Sequence, residues 1–154
     1  ASGYGTAIFN GDFVKLVADG DIEKDAGTTA LTTCGIFVGC SYTPSTTNQK
    51  TFNTQWPAST VASDAMAYVI DDPFVVFQMQ ADEAMNTTDR GLNASVVQTA
   101  GSTAIGKSKN ALDGDTPATT NTLPLRILDF VDGPDSLAPV GTTASDSYLN
   151  ATGV

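Results

Sequence analysis

Residues 101–108 read Gly-Ser-Thr-Ala-Ile-Gly-Lys-Ser and match the phosphate-binding pattern Gly-x4-Gly-Lys-Ser/Thr. A working loop of this type follows a buried strand and opens a helix, whose N-terminal N–H groups hold the phosphates. Residues 95–100 suit the strand, but Gly114 and Pro117 leave too little room for the helix. The later run 125–129, Leu-Arg-Ile-Leu-Asp, resembles the acidic strand that holds magnesium in phosphate-loop proteins. Its arginine and apolar residues fit an amphipathic strand better. We therefore predict a hairpin loop at 101–108 and no cofactor.

Two acidic segments raise the question of a metal site. Four acids alternate within 19–25, and the run 113–115 reads Asp-Gly-Asp. Alternating oxygen ligands suit calcium, but the EF-hand pattern lacks its glycine at the sixth position and its glutamate at the twelfth. We predict solvated turns and no metal. A paired-carboxylate hydrolase would need two acids to converge in a cleft, and the sequence does not show convergence.

The chain contains no histidine. The commonest general base near neutral pH and the commonest metal ligand are therefore missing. This excludes Ser-His-Asp and Cys-His sites, and it leaves carboxylate, lysine and N-terminal chemistries open. We predict that the protein is not an enzyme.

The 154 residues suit one domain with a real core. Seventeen acids against seven bases give a net charge of −10, and the bases are scattered. That distribution argues against partners such as nucleic acid or an anionic membrane, and it favours a solubilised surface or docking onto a basic partner. No apolar run is long enough for a membrane span, and no signal peptide is predicted.

The two cysteines, Cys34 and Cys40, would lie on one face of a strand, about 20 Å apart at ~3.3 Å per residue. A disulfide needs Cα atoms within roughly 7 Å. We predict buried free thiols, which fits folding in a reducing cytoplasm.

Short apolar runs separated by turn residues predict an all-β fold, a compact barrel or sandwich with little helix. The run 74–79 is almost continuously apolar, which predicts a strand buried on both faces. The only helix candidate is 81–90, and 43–54 and 107–122 are long polar loops. The other strands are predicted at 13–18, 34–40, 66–70, 95–98 and 123–131.

The chain is predicted to divide into an N-terminal arm at 1–12, a β-rich domain at 13–133 and a C-terminal arm at 134–154. The turn signal Asn-Gly-Asp at 10–12 would be the hinge of the first arm. An extended arm can add a strand to a partner's sheet edge, so deletion of 1–9 would abolish binding and spare the fold. Trp56 is either a core residue or an interface anchor. The candidate partner-binding residues are Tyr4, Thr6, Ile8, Phe9 and Trp56.

Four blocks in order, at 3–16, 35–42, 71–73 and 123–128, resemble a group of marine tailed-phage structural proteins. The likeness spans about residues 3–135, and it is the order and spacing of the blocks that carry it. That group is in turn similar to the lambda-type head decoration and cement proteins. The resemblance also implies an apolar strand after Gly133, whereas 136–147 is polar.

The resemblance implies a β-tulip-like module on the outside of a capsid, assembled in the host cytoplasm. Its partners would be the major capsid protein and neighbouring copies of itself, as a homotrimer or another homo-oligomer. The function would be to stabilise the shell as a decoration or cement protein. The alternative is another virion component, such as a head fibre, tail-tube or adhesin module.

Overall fold

A computed structural model describes residues 2–131 and 148–153, the latter as backbone only. The chain forms two compact units. Unit 1 comprises 2–26, 32–72 and 99–110, and unit 2 comprises 27–31, 73–98, 111–131 and 148–153. Both are built from antiparallel strands, which confirms the all-β prediction. In the described residues no sheet closes into a barrel, and no helix is long and apolar enough to cross a membrane.

Unit 1 contains a five-stranded sheet and a two-stranded sheet. Its strands are β1 (Ile8–Phe9), β2 (Phe13–Leu16), β3 (Ile22–Lys24), β4 (Gly35–Tyr42), β5 (Thr51–Asn53), β6 (Gln55–Trp56) and β7 (Met66–Ile70). The larger sheet runs β3-β2-β4-β5, and β7 pairs with the other side of β4. The longest strand, β4, therefore organises the unit, and β1 pairs with β6 beside it.

The core of unit 1 gathers side chains from both sheets. The Tyr42 and Trp56 rings meet edge to face at 5.0 Å between centroids. The buried cluster comprises Ile8, Val14, Phe37, Cys40, Tyr42, Trp56 and Ala62. Aromatic and β-branched residues suit the pleated surface of such strands.

Unit 2 contains a four-stranded sheet of order β8-β13-β12-β9 and the pair β10-β11. Its strands are β8 (Val76–Gln80), β9 (Asn93–Ala94), β10 (Val96–Val97), β11 (Ala111–Leu112), β12 (Leu125–Phe130) and β13 (Tyr148–Gly153). The buried side chains are Ala81, Met85, Ala94, Val96, Leu112, Leu125 and Ile127.

The structure of unit 2 differs from the sequence-based expectations at three places. The helix candidate at 81–90 forms only a 3₁₀ turn, at Thr87–Asp89, where two β-branched residues disfavour a longer helix. The run 74–79 is not buried on both faces, because alternate residues of β8 are exposed, Val76 to 54 %. Part of the predicted C-terminal arm, 148–153, is the strand β13 between β8 and β12. Residues 134–147 and 154 lie outside the described residues.

The N-terminal segment is also more firmly placed than an extended arm. The N–H of Gly3 donates to the Thr60 carbonyl, and the N–H of Ser59 donates to the Tyr4 carbonyl, both at 2.7 Å. Ile8 and Phe9 then pair with β6 and are buried. Residues 8–9 are therefore part of unit 1, so deletion of 1–9 would remove a strand and core side chains and would not spare the fold.

Candidate functional site

The phosphate-loop-like segment 101–108 forms a tight loop in unit 1. Ser102 and Lys107 pair as an antiparallel bridge, and the N–H of Gly106 donates to the Ser102 carbonyl at 2.8 Å. The next regular element is the short strand β11, not a helix. The predicted hairpin loop is confirmed.

Both glycines of the motif are required by packing. A Cβ on Gly101 would overlap the ring of Phe9. Gly106 has φ +68°, and a Cβ there would overlap the Thr54 hydroxyl. Left-handed backbone and close approach are both conditions that favour glycine. The glycines thus let the loop lie directly on β1 and on the segment before β6.

The polar residues of the motif bind the turn at 10–12 that joins β1 and β2. The N–H of Asp12 donates to the Phe9 carbonyl, which closes the predicted turn. Lys107 Nζ donates to Asn10 Oδ1 at 2.9 Å. Ser108 Oγ donates to Asp12 Oδ1 at 2.6 Å. The residues that would hold a phosphate are therefore engaged in internal contacts.

Asp12 is the charged centre of this arrangement and is fully buried. Besides Ser108, it accepts hydrogen bonds from the Phe9 N–H at 2.9 Å and from Lys24 Nζ at 3.2 Å. Removal of one member of a buried ion pair leaves the other charge without compensation. The contact between Asp12 and Ser108 spans 96 positions of the sequence, so local reasoning did not identify it.

The acids of 19–25 do not converge. A turn between β2 and β3 is closed by the N–H of Val17 donating to the Asp21 carbonyl at 2.9 Å, as predicted. Asp25, in contrast, is buried and accepts the N–H of Thr32 at 2.8 Å. The solvated-turn prediction is thus confirmed for the turn and wrong for Asp25.

Unit 2 carries an acidic group around the predicted turn at 113–115. The N–H of Asp115 donates to Asp113 Oδ1 at 3.2 Å, which confirms the turn. A hydrogen bond with Asp115 and repulsion from its charge, with smaller effects of Asp82 and Asp113, raise the pKa of Glu83. Within 2–131 and 148–153, no three His, Cys, Asp or Glu side chains are arranged to hold a metal ion.

Both cysteines are free thiols, as predicted. Cys40 is buried in β4, and Cys34, half-buried, lies just before that strand. Burial raises the pKa of the Cys40 thiol to about 11. Cys40 therefore behaves as a small apolar core residue rather than a nucleophile.

The five candidate partner-binding residues do not form one exposed surface. Thr6 is exposed and Tyr4 is half-buried. Ile8, Phe9 and Trp56 are about 95 % buried, so their side chains are held within unit 1. Of the two readings of Trp56, the core residue is the one that its position supports.

Sequence reasoning missed an exposed apolar surface on the five-stranded sheet of unit 1. Ser41 of β4 lies between Phe52 of β5 and Met66 of β7 in register, so all three share a face. Tyr68 and Ile70 follow on the same face, and Tyr68 Oη donates to Ser41 Oγ at 3.3 Å. We call Phe52, Met66, Tyr68 and Ile70 the apolar face; their exposed fractions are 74, 62, 47 and 42 %.

The strand β7 is also open along one edge. Among the described residues it pairs only with β4, which leaves its other row of main-chain groups without a strand partner. Its sequence, Met-Ala-Tyr-Val-Ile, has no charge, proline or glycine. The signal available in the sequence was this unbroken apolar run, which lacks the polar alternation of a strand with one solvated face.

Charge surrounds the open strand. Asp64 precedes it, and the exposed Asp71 and Asp72 follow it directly. Hydrogen bonds from Lys50 and Thr43 hold the pKa of Asp64 well below its usual range. Lys50 Nζ lies 2.8 Å from Asp64 Oδ2. Carboxylates therefore flank both ends of the strand.

No family model, curated protein or solved structure matches the chain.

Proposed function

We propose that this protein is a structural component of a tailed-phage virion, a capsid decoration protein that binds the outer surface of the shell and stabilises it. The observation that carries the proposal is the apolar face of unit 1. Four large apolar side chains at 42–74 % exposure stand on one sheet face of a protein with a net charge of −10. Contiguous exposed apolar surface usually marks an interaction site. The order of sequence blocks supplies the expected partner, the major capsid protein.

The mechanism is adhesive. The two strands that carry the apolar face both pair with β4, the longest strand of the unit. A surface fixed in this way loses little conformational freedom on binding. On a symmetric shell, many copies with modest single-site affinity act together. Neighbouring copies of the chain would add contacts, as a homotrimer or another homo-oligomer.

The proposed contact surface is the sheet and not the N-terminal arm that the sequence suggested. Ile8 and Phe9 are occupied in pairing and in the core, so they support the unit rather than reach a partner. Tyr4 and Thr6 remain available at its surface. The surface of β5 and β7 then carries the adhesion.

The test uses shells assembled from the major capsid protein encoded in the same genome. We expect the protein to co-sediment with these shells at a saturating ratio. The double variant Phe52→Ser, Met66→Ser should lose at least tenfold in affinity, because each change removes exposed apolar area of the contact. Phe74→Ser is the matched control, since Phe74 is 85 % exposed and belongs to unit 2.

A protein that stays in the supernatant contradicts the proposal. Immunogold labelling of intact phage particles gives an independent test. Label on the head supports a decoration protein, whereas label on fibres or on the tail would favour the alternative virion components.

A further inference from the structure

A pocket of about 410 Å³ lies in unit 1 beside β7. Its walls include Ile8, Trp56 and Ala62 from the core cluster, together with Met66 and Ala67 of β7. Ala67 is exposed, although it pairs with the buried Cys40 and so points to the core side of the sheet. Pockets that hold ligand groups begin at roughly 300 Å³. The pocket is thus large enough to receive an apolar group at the edge of the sheet.

The first two residues of the open strand, Met66 and Ala67, line this pocket. Proteins usually protect such an edge with a charge, a proline or a bulge on the edge strand. Residues 66–70 have no charge or proline. The bulge in the β4–β7 pair is at Val38 of β4 and not on β7. An unprotected edge with a pocket beside it has the two parts of a strand-addition site. Main-chain hydrogen bonds then give affinity, and a pocket for one side chain gives specificity.

The charges around the site indicate the chemistry of the added strand. Asp21 lines the pocket, Asp64 precedes β7, and Asp71 and Asp72 follow it. Lys50 pairs with Asp64. An apolar segment flanked by lysine or arginine would therefore be attracted at both ends.

A second copy of β7 fits this edge poorly. In an antiparallel pair centred on Tyr68, Met66 would face Ile70 and Asp64 would face Asp72. Like charges directly opposite destabilise a strand pair. The net charge of −10 on each copy adds to the repulsion. These charges favour a different protein as the source of the strand.

We propose that β7 receives an extended segment of a partner protein as an added strand, with one apolar side chain of that segment in the pocket beside Ala67 and flanking basic residues near the aspartates. The identity of the partner as a capsid subunit rests on the proposed function. The strand addition itself does not.

The experiment is a titration with a nine-residue peptide that alternates threonine with valine or leucine between terminal lysines. The readout is the fluorescence of Trp56, the one tryptophan of the chain and part of the pocket wall. We expect a saturable change. A backbone N-methylated version should bind at least tenfold more weakly, because it lacks the donors for the strand pairing. A version with terminal glutamates should weaken similarly at low salt.

The matched protein variants are Ala67→Arg, which fills the pocket and adds a like charge, and Phe74→Ser in unit 2. Ala67→Arg should weaken the lysine peptide at least tenfold, and Phe74→Ser should leave its affinity unchanged. Circular dichroism and the melting temperature check that each variant is folded. If Ala67→Arg does not fold, Ala65→Arg replaces it, since Ala65 also lines the pocket, is exposed and does not belong to the apolar face.

Three results would overturn the inference: no binding of the lysine peptide, equal binding of the N-methylated peptide, or a wild-type dimer that Ala67→Arg dissociates. Shell binding separates the two proposals. If the wild-type protein binds shells but not the lysine peptide, the inference is wrong and the proposed function stands. If the peptide binds β7 but the wild-type protein does not bind shells, the inference stands and the proposed function is wrong.

Discussion

The loop at 101–108 and the strand β7 belong to the same unit. In both, the structure departs from what the residue types suggest, and it does so in opposite directions. The loop contains the residue types of a phosphate site, yet Lys107 and Ser108 donate hydrogen bonds to Asn10 and Asp12. The strand contains no reactive group, yet four of its five residues are exposed and one edge is open. Residue type alone is therefore a poor guide in this chain. Whether a group already has an internal partner distinguishes the structural segment from the candidate docking surface.

The largest effect is expected for Asp12→Ala, which tests the internal contacts of the loop at 101–108. The change leaves Lys24 without its buried partner, and it removes the acceptor of the Phe9 N–H and the Ser108 hydroxyl. We expect the free energy of unfolding to fall by about 3–5 kcal/mol. Urea denaturation measures it. Asp19→Ala, at an exposed turn position, is the control and should stay within about 0.5 kcal/mol of the wild type. A loss below about 1 kcal/mol for Asp12→Ala would show that the loop is not held through this carboxylate.

A smaller effect is expected for Gly101→Ala. The added Cβ overlaps the ring of Phe9 and approaches the Lys107 carbonyl, so the loop must shift away from β1. We expect a loss of about 1–3 kcal/mol, the usual cost of overpacking. Thermal unfolding followed by calorimetry measures it. Gly5→Ala is the matched control, because a Cβ there meets nothing within 4 Å. Equal melting temperatures for the two variants would contradict the close packing of the loop.

The smallest effect on stability is expected at Asp64, just before β7. Because Lys50 and Thr43 lower the pKa of Asp64 in the folded state, its contribution to stability is present above the ordinary value of 3.8. The contribution is lost as pH falls through the folded value. Since the pair is exposed, the effect is small. In the Asp64→Asn variant, the free energy of unfolding should fall slightly less steeply as the pH is lowered in the acidic range. A steeper fall in that variant would contradict the stabilising contacts of Asp64 with Lys50 and Thr43.

The sequence predicted the elements whose pattern is local. Strands β2, β4, β7 and β12 were predicted because each is a run of alternating or continuous apolar residues. The free thiols and the three polar turns also followed from short segments. The prediction for 74–79 failed because an apolar run shows that a strand forms but not whether neighbouring elements cover both faces.

The features that the sequence did not reveal depend on distant contacts. Asp12 reads as part of an exposed turn until Ser108, 96 positions away, is seen to donate to it. The segment 148–153 reads as a polar arm because its pairing with β8 and β12 is made by the main chain. The open edge of β7 was equally hidden, since an edge is defined by which strands fail to pair with it. The strand itself was predicted, and its exposure was not.

The position of β13 has a consequence for synthesis and quality control. Because β13 lies between β8 and β12, those two strands have no direct partnership in the sheet without it. Any product that stops before residue 148 therefore carries unpaired strand edges, which aggregate readily. Proteases that remove unfolded chains would encounter unit 2 in this incomplete form. Recognition of shortened copies as unfolded is thus a consequence of the strand order of unit 2.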